Sequence, residues 1–333
     1  MCCVGTTLAA RAWVTNKPHD ALFKAAFEAP EHAAALLRHL LPPSVSAAID
    51  WQSMTLQVGS FIDPELADHH TDLLFSVGVH GGGEALIYLL LEHQSTNDRD
   101  MPLRVLVYEV RIWERYRSEH VGVPLPPIIP VVVSHELRGW SVARSFEELF
   151  DPNVFGIPGL AAFVPRFSLL IDDLADLSND DLKARTMEAF QKLVLWALRD
   201  GRHADRFQDN QGEWIAPFDE AWRAPRGIEA LTQLLRYFAL VTDALPFEVF
   251  RAKIRELLPG SEEITMTMTW VEQKLSEGRI QGHAEVLRKL LILKFGAIDA
   301  EHDARILAAT PEALDRYLER VLTATTLDAV FGE

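Results

Sequence analysis

The chain is 333 residues long, 48% hydrophobic, and carries a formal net charge of −16 at pH 7. That length can bury a sizeable core and leaves room for two domains, while no apolar run approaches the ~18 residues of a membrane span. Such acidity excludes a uniformly basic nucleic-acid-binding surface, so any contact with phosphates has to come from basic residues gathered locally.

The only cysteines, Cys2 and Cys3, are adjacent, where a mutual disulfide would be strained, so a reduced, cytoplasmic chain is expected. Residues 1–16 lack the basic and continuous apolar regions of a signal peptide and read as a disordered tail. Leu22, Phe23, Ala26, Phe27, Ala34, Leu36, Leu37 and Leu40 predict a helix over residues 20–41, capped by Asp20, broken near Pro30 and stopped by Pro42-Pro43. His19, at that helix start, reads as a capping or packing residue before a functional one. Met54, Leu56, Val58 and Phe61 alternate as a strand over 54–62, ended by Asp63-Pro64.

Residues 71–79 and 85–94 are predicted strands joined by the Gly81-Gly82-Gly83 turn, which lacks a phosphate-loop pattern. Asp72 lies at the start of the first and Glu92 near the end of the second. Polar groups beside a buried strand persist only where paired, solvated or bound to a cation. A lone acid is ordinarily solvated or ion-paired, but two acids meeting at the edge of one sheet suggest a metal site. With no cysteine or histidine cluster nearby, hard oxygen donors point to Mg²⁺ or Mn²⁺. His70 is in strand phase with Asp72 and His69 is not.

The polar turn from Ser95 leads into an amphipathic helix over 101–116 that carries Arg104, Tyr108, Arg111 and Arg115. Its arginines read equally as a phosphate-facing row or as a solvated face with internal ion pairs. Residues 126–134 form a β-branched, proline-bounded buried strand, and 163–171 an edge strand before Asp172-Asp173. From 178 onward the period turns helical, at 182–198, 228–244, 246–258, 265–295 and 311–322. Trp51, Trp113, Trp140, Trp214 and Trp222 share no period and read as packing residues. The order of helix, three strands, helix and strand predicts an α/β fold with a mixed sheet, followed by a mainly helical region.

Three stretches, His19-Asp20-Ala21-Leu22-Phe23-Lys24, Thr71-Asp72-Leu73-Leu74-Phe75 and Leu90-Leu91-Glu92-His93-Gln94-Ser95, resemble the PD-(D/E)XK nuclease superfamily. Within it they resemble the recombination-promoting nuclease or transposase-like (YhgA-like) family, which shows a Glu-x-Gln variant of the third motif. The resemblance implies a restriction-endonuclease-like core over 17–175, a helical extension over 176–264 and a helical C-terminal domain over 265–333. In that last domain Leu287, Leu290, Leu291, Leu293 and Phe295 cover more of a helix surface than one intramolecular face requires, so it is expected to assemble protomers into a homo-oligomer. The resemblance also implies Mg²⁺ or Mn²⁺ held by Asp72, Glu92 and the backbone carbonyl of His93, with Gln94 where most members have lysine. Glu28 or Glu31 on the first helix, and Arg104 and Tyr108 on the later one, are the implied accessory residues. The expected activity is DNA endonuclease chemistry linked to recombination or mobile elements, without a membrane partner. The competing expectation is a catalytically inactive, nuclease-like scaffold for protein partners, which the acidity and the missing lysine favour.

Overall fold

The computed structural model describes residues 17–57, 71–92, 98–241, 247–258, 260 and 262–332, with the backbone alone at positions 71, 72, 91, 92, 247–249, 257, 263, 267, 270–272, 274–276, 279 and 312. The predicted 1–16 tail, positions 58–62 of the expected first strand, His69, His70, His93 and Gln94 lie outside the described residues. The chain divides into two compact units, one comprising Lys17–Ser261 and the other beginning at Glu262.

Pro18 starts helix α1 (Pro18–Phe27), which buries Leu22, Phe23, Ala26 and Phe27. The residue before a proline is driven out of the helical region. Accordingly Ala29 is extended (ψ 127) and Pro30 opens a second helix, α2 (Pro30–Leu40). Asp20 is not the N-cap. Proline is preferred at the first helical position, so the helix begins two residues earlier, Lys17 holds the cap position, and Asp20 lies buried in the first turn.

A short helix α3 (Pro43–Ala48) leads into β1 (Ile49–Leu56), five residues before the expected start. Strands β2 (Thr71–Val79) and β3 (Glu84–Glu92) form the predicted hairpin, and Gly81, Gly82 and Gly83 all have φ near +100, the region glycine enters without strain. Helix α4 (Met101–Glu119) returns the chain to β4 (Ile128–Ser134), which runs parallel to β3. The fifth strand, β5 (Leu170–Asp173), pairs parallel with β4 at the sheet edge. It is shorter and later than the expected 163–171, and Phe163 sits 83% exposed in a single turn of tight helix. The sheet order β1-β2-β3-β4-β5 is antiparallel on one side and parallel on the other. The result is the α/β fold with a mixed sheet expected of a restriction-endonuclease-like core.

Ala85 through Leu90 of β3 are all buried, as a strand covered on both faces requires. Met101, Val105, Tyr108 and Ile112 of α4 pack on one face against Leu74, Leu86, Tyr88, Leu90 and Val132. On the other face α1 lies against β2 and against α6 (Ala189–Asp200). The expected helix over 182–198 is split into α5 (Asn179–Ala184) and α6, because Arg185 leaves the helix to reach β5. Its two terminal nitrogens donate to Asp172 at 2.7 Å each, and both side chains are buried. Four further helices, α7 (Ala204–Asn210), α8 (Ile215–Arg223), α9 (Gly227–Val241) and α10 (Phe247–Leu257), complete this unit around stacked Trp196 and Trp214.

In the second unit, α11 (Glu262–Phe295), α12 (Ala300–Leu307), α13 (Pro311–Thr323) and α14 (Leu327–Phe331) share a core of Leu287, Leu291, Ile306, Leu314, Val321, Val330 and Phe331. No described helix is long and apolar enough to cross a membrane.

Two stability predictions follow from this burial. Removing one partner of a buried ion pair strands the other charge, so Arg185→Met should lower the unfolding free energy by about 3–5 kcal/mol in denaturant titrations. Adding Asp172→Leu should recover much of that loss, and a double variant no better than the single one would show that the pair is not the cause. Glu109, buried on α4 beside the Val105 and Ile112 stripe, has its carboxyl pushed by burial from 4.5 up to about 7. Between those values the folded state holds a proton that the unfolded chain releases, so stability falls as pH rises through the interval. Glu109→Gln should therefore be near neutral at about pH 4 and stabilising by about 2 kcal/mol at about pH 8, read from melting curves at the two pH values.

Candidate active site

The position of the two acids follows from the strand ladders. Asp72 pairs with Leu90 across β2 and β3, and Glu92 lies one pleat beyond Leu90 on the same strand. Side-chain parity alternates along a strand, so positions 72, 90 and 92 belong with Leu74 and Tyr88, the face that α4 covers. Residues diagonal across an antiparallel pair lie ~7–8 Å apart. In the parallel half of the sheet Glu92 pairs with Ser134, and Ser134 with Asp173. One row thus crosses three strands at their carboxyl ends, the edge at which open α/β sheets receive ligands.

Within this row Asp173 has a structural task. Its carboxylate accepts the backbone N–H of Trp140 and that of Ala175, and burial raises its pKa despite these bonds. Gly139 adopts φ +74, and a Cβ there would stand 3.2 Å from Asp173 Oδ2. The turn after β4 therefore closes only with glycine at this point. Ser134 and His135 are buried at 0% and 1% exposure, which carries the polar end of β4 inward.

The remaining sequence candidates are spread more widely. Arg104, in the first turn of α4, donates to Asp98 at 2.8 Å and contacts the Met101 sulfur at 3.0 Å. Arg115 pairs with Glu119 one turn on, so two of the arginines on this helix neutralise acids of their own chain. Tyr108 is 1% exposed and meets Tyr88 edge-on at 5.9 Å between centroids, inside the core. Glu28 caps the C-terminal end of α1 and Glu31 lies in the first turn of α2, both exposed, at the far end of α1 from His19. Among the described side chains no group of three or more histidines, cysteines and acids gathers to hold a metal. Asp72 and Glu92 stand as the candidate ligands by register, and His93 and Gln94 lie outside the described residues.

Sequence reasoning missed Glu109, whose burial could have been suspected from its place four residues after Val105 and three before Ile112. It also missed Arg202 and Tyr237, which come to the end of β4 only through long-range packing and leave no local signal.

Comparison with known proteins agrees with this architecture. The family described as "Putative transposase, YhgA-like" matches residues 17–218. Recombination-promoting nuclease RpnD of Escherichia coli O157:H7 is 27% identical over 263 residues, covering 77% of this chain and 94% of that protein. RpnA of E. coli K12, named likewise, is 24% identical over 84% of this chain and 90% of its own length. A relative from the same strain named as inactive, RpnE, is 25% identical over 90% of this chain and 96% of its own. No solved structure gives a significant match. A family match over more than half of the chain, on a sheet of the expected order, leads to one conclusion: this protein belongs to the YhgA-like transposase family, whose relatives include the recombination-promoting nucleases.

Proposed function

We propose that the chain is a cytoplasmic, metal-dependent endonuclease that hydrolyses DNA phosphodiesters in recombination or mobile-element processes. The observation that carries this reading is the register, which sets Asp72 opposite Leu90 and Glu92 one pleat further, on one face at the carboxyl end of the sheet. The names of the relatives support the reaction class. The carboxylates of Asp72 and Glu92, with the carbonyl of His93, would hold Mg²⁺ or Mn²⁺, since all are hard oxygen donors. When bound, the cation neutralises charge on the scissile phosphate and acidifies a water. Gln94 orients that water through its amide and brings no positive charge of its own.

A second reading, a nuclease-like scaffold without activity, draws on that missing charge, on the net charge of −16 and on the likeness to RpnE, named inactive. Assembly through the C-terminal helices belongs to the first reading. Val286 and Leu293 are 51% and 74% exposed two turns apart on α11, and nothing stands within 4 Å of a Cβ built at Gly282. The proposed occupant of this face is a second copy of the chain, because a site that cuts one strand needs a twin to sever a duplex.

Purified protein with supercoiled plasmid and Mg²⁺ or Mn²⁺ should convert it to open circles, and Asp72→Ala or Glu92→Ala should reduce the rate at least ~10²-fold. Full activity in both variants would sink the nuclease reading, and an inert wild type would favour the scaffold. Gln94→Lys should keep or raise the rate and Gln94→Leu should lose most of it. For assembly, Leu293→Glu should lower the mass in light scattering to that of a monomer and spare nicking while slowing double-strand cleavage. A wild type that is itself monomeric would remove this part of the reading.

A further inference from the structure

A second group of side chains converges at the same end of the sheet. His135 follows Ser134, the register partner of Glu92, and is almost wholly buried. Its ring lies 4.9 Å from that of His19, in the first turn of α1. His19 Nδ1 is 2.9 Å from the hydroxyl of Tyr237, on α9. Arg202, in the turn after α6, donates through Nη2 to the His135 carbonyl at 2.7 Å and lies 3.1 Å from His135 Nδ1.

Of these four side chains only Arg202 carries a permanent charge. Arg202 forms no ion pair among the described residues, and its buried Nε finds no acceptor there. Asp200 and Glu136 are close enough to raise the pKa of neighbouring His203, yet burial, Arg202 and Arg206 prevail and lower it. Asp200 itself is engaged by Arg199 and Arg206. Burial raises the pKa of Tyr237, so the phenol keeps its proton and shares one hydrogen bond with His19 Nδ1. The N-cap of α1, at Lys17, makes no side-chain cap bond, so the positive end of that helix adds to the same field. A part-buried guanidinium without a carboxylate persists where an anion completes it.

We propose that Arg202 and His19, braced by His135 and Tyr237, form a phosphate-binding subsite at the carboxyl end of β4, on the face of the sheet that α1 covers, that takes a backbone phosphodiester of the nucleic-acid substrate. It supplies a positive charge from the helical extension at the same end of the sheet as positions 72 and 92. The idea rests on the nuclease reading for the identity of its ligand, while the capacity to bind a phosphate group is independent of cleavage.

The test follows the imidazole nitrogen resonances of the full-length protein, assigned with His19→Gln and His135→Gln, during titration with inorganic phosphate and, separately, with a short DNA duplex in Ca²⁺. Chloride at matched ionic strength is the control. Both ligands should shift the His19 and His135 signals saturably, and Arg202→Gln, which keeps a donor to the His135 carbonyl and drops the charge, should weaken both about ten- to hundred-fold. In plasmid nicking the same variant should raise KM by a similar factor with a smaller change in kcat, and Arg202→Lys should restore part of it. Imidazoles that ignore both ligands would overturn the subsite, whether or not the plasmid is nicked. Response to free phosphate without response to the duplex would overturn its assignment to substrate. An inert nuclease whose imidazoles still respond through Arg202 would keep the subsite and discard the cleavage reading.

Discussion

The parallel ladder between β3 and β4 is the constraint on which the rest of the protein depends. Parallel neighbours cannot be joined by a tight turn, so α4 has to cross the sheet, and its apolar stripe then seals the face that β2, β3 and β4 share. The same ladder runs from Leu86 and Ile128 to Glu92 and Ser134. Along it both strands are apolar up to Leu91 and Val133 and turn polar at their carboxyl ends. That switch sets Glu92, Ser134 and His135 at one end of β3 and β4.

The cations of an acidic chain are rationed by this architecture. Arg185 is locked to Asp172 on β5, Arg199 to Asp200 at the end of α6, Arg104 to Asp98 and Arg115 to Glu119. Arg199 also donates to the Leu177 carbonyl and to Asn179, which ties the helical extension to the turn after β5. The Arg185 and Asp172 pair and these Arg199 bonds hold the extension in register with the core, the buried pair at little net gain in free energy. Against them Arg202 is an exception, since its partners are a carbonyl and a ring nitrogen.

The hairpin, α4 and β4 were legible because their apolar periods are unbroken and their ends are marked by glycine, proline or charge. Strand β1 was displaced for a physical reason. Its register slips between Asp50 and Thr55, so its buried residues Ile49 and Met54 are an odd number of positions apart and the alternation a reader seeks is scrambled. Leu182 to Leu198 kept a helical rhythm across a gap that exists only because Arg185 reaches Asp172, a partner on another element. In the candidate site Asp72 and Glu92 announced themselves as polar residues closing apolar runs. Arg202 and Tyr237 could not, since 67 and 218 residues of chain separate them from His135 and His19.

The turn of the β2–β3 hairpin lies at the opposite end of these strands from Asp72 and Glu92, and a Cβ built at any of its three glycines would meet nothing within 4 Å. Chain length is cheap where a loop touches nothing and closes only onto itself. Related sequences can therefore lengthen, shorten or decorate this tip without moving an acid, and a fluorophore or a fused domain placed there would report on the sheet from the side away from the chemistry. The hairpin separates a part that can drift from a part that cannot.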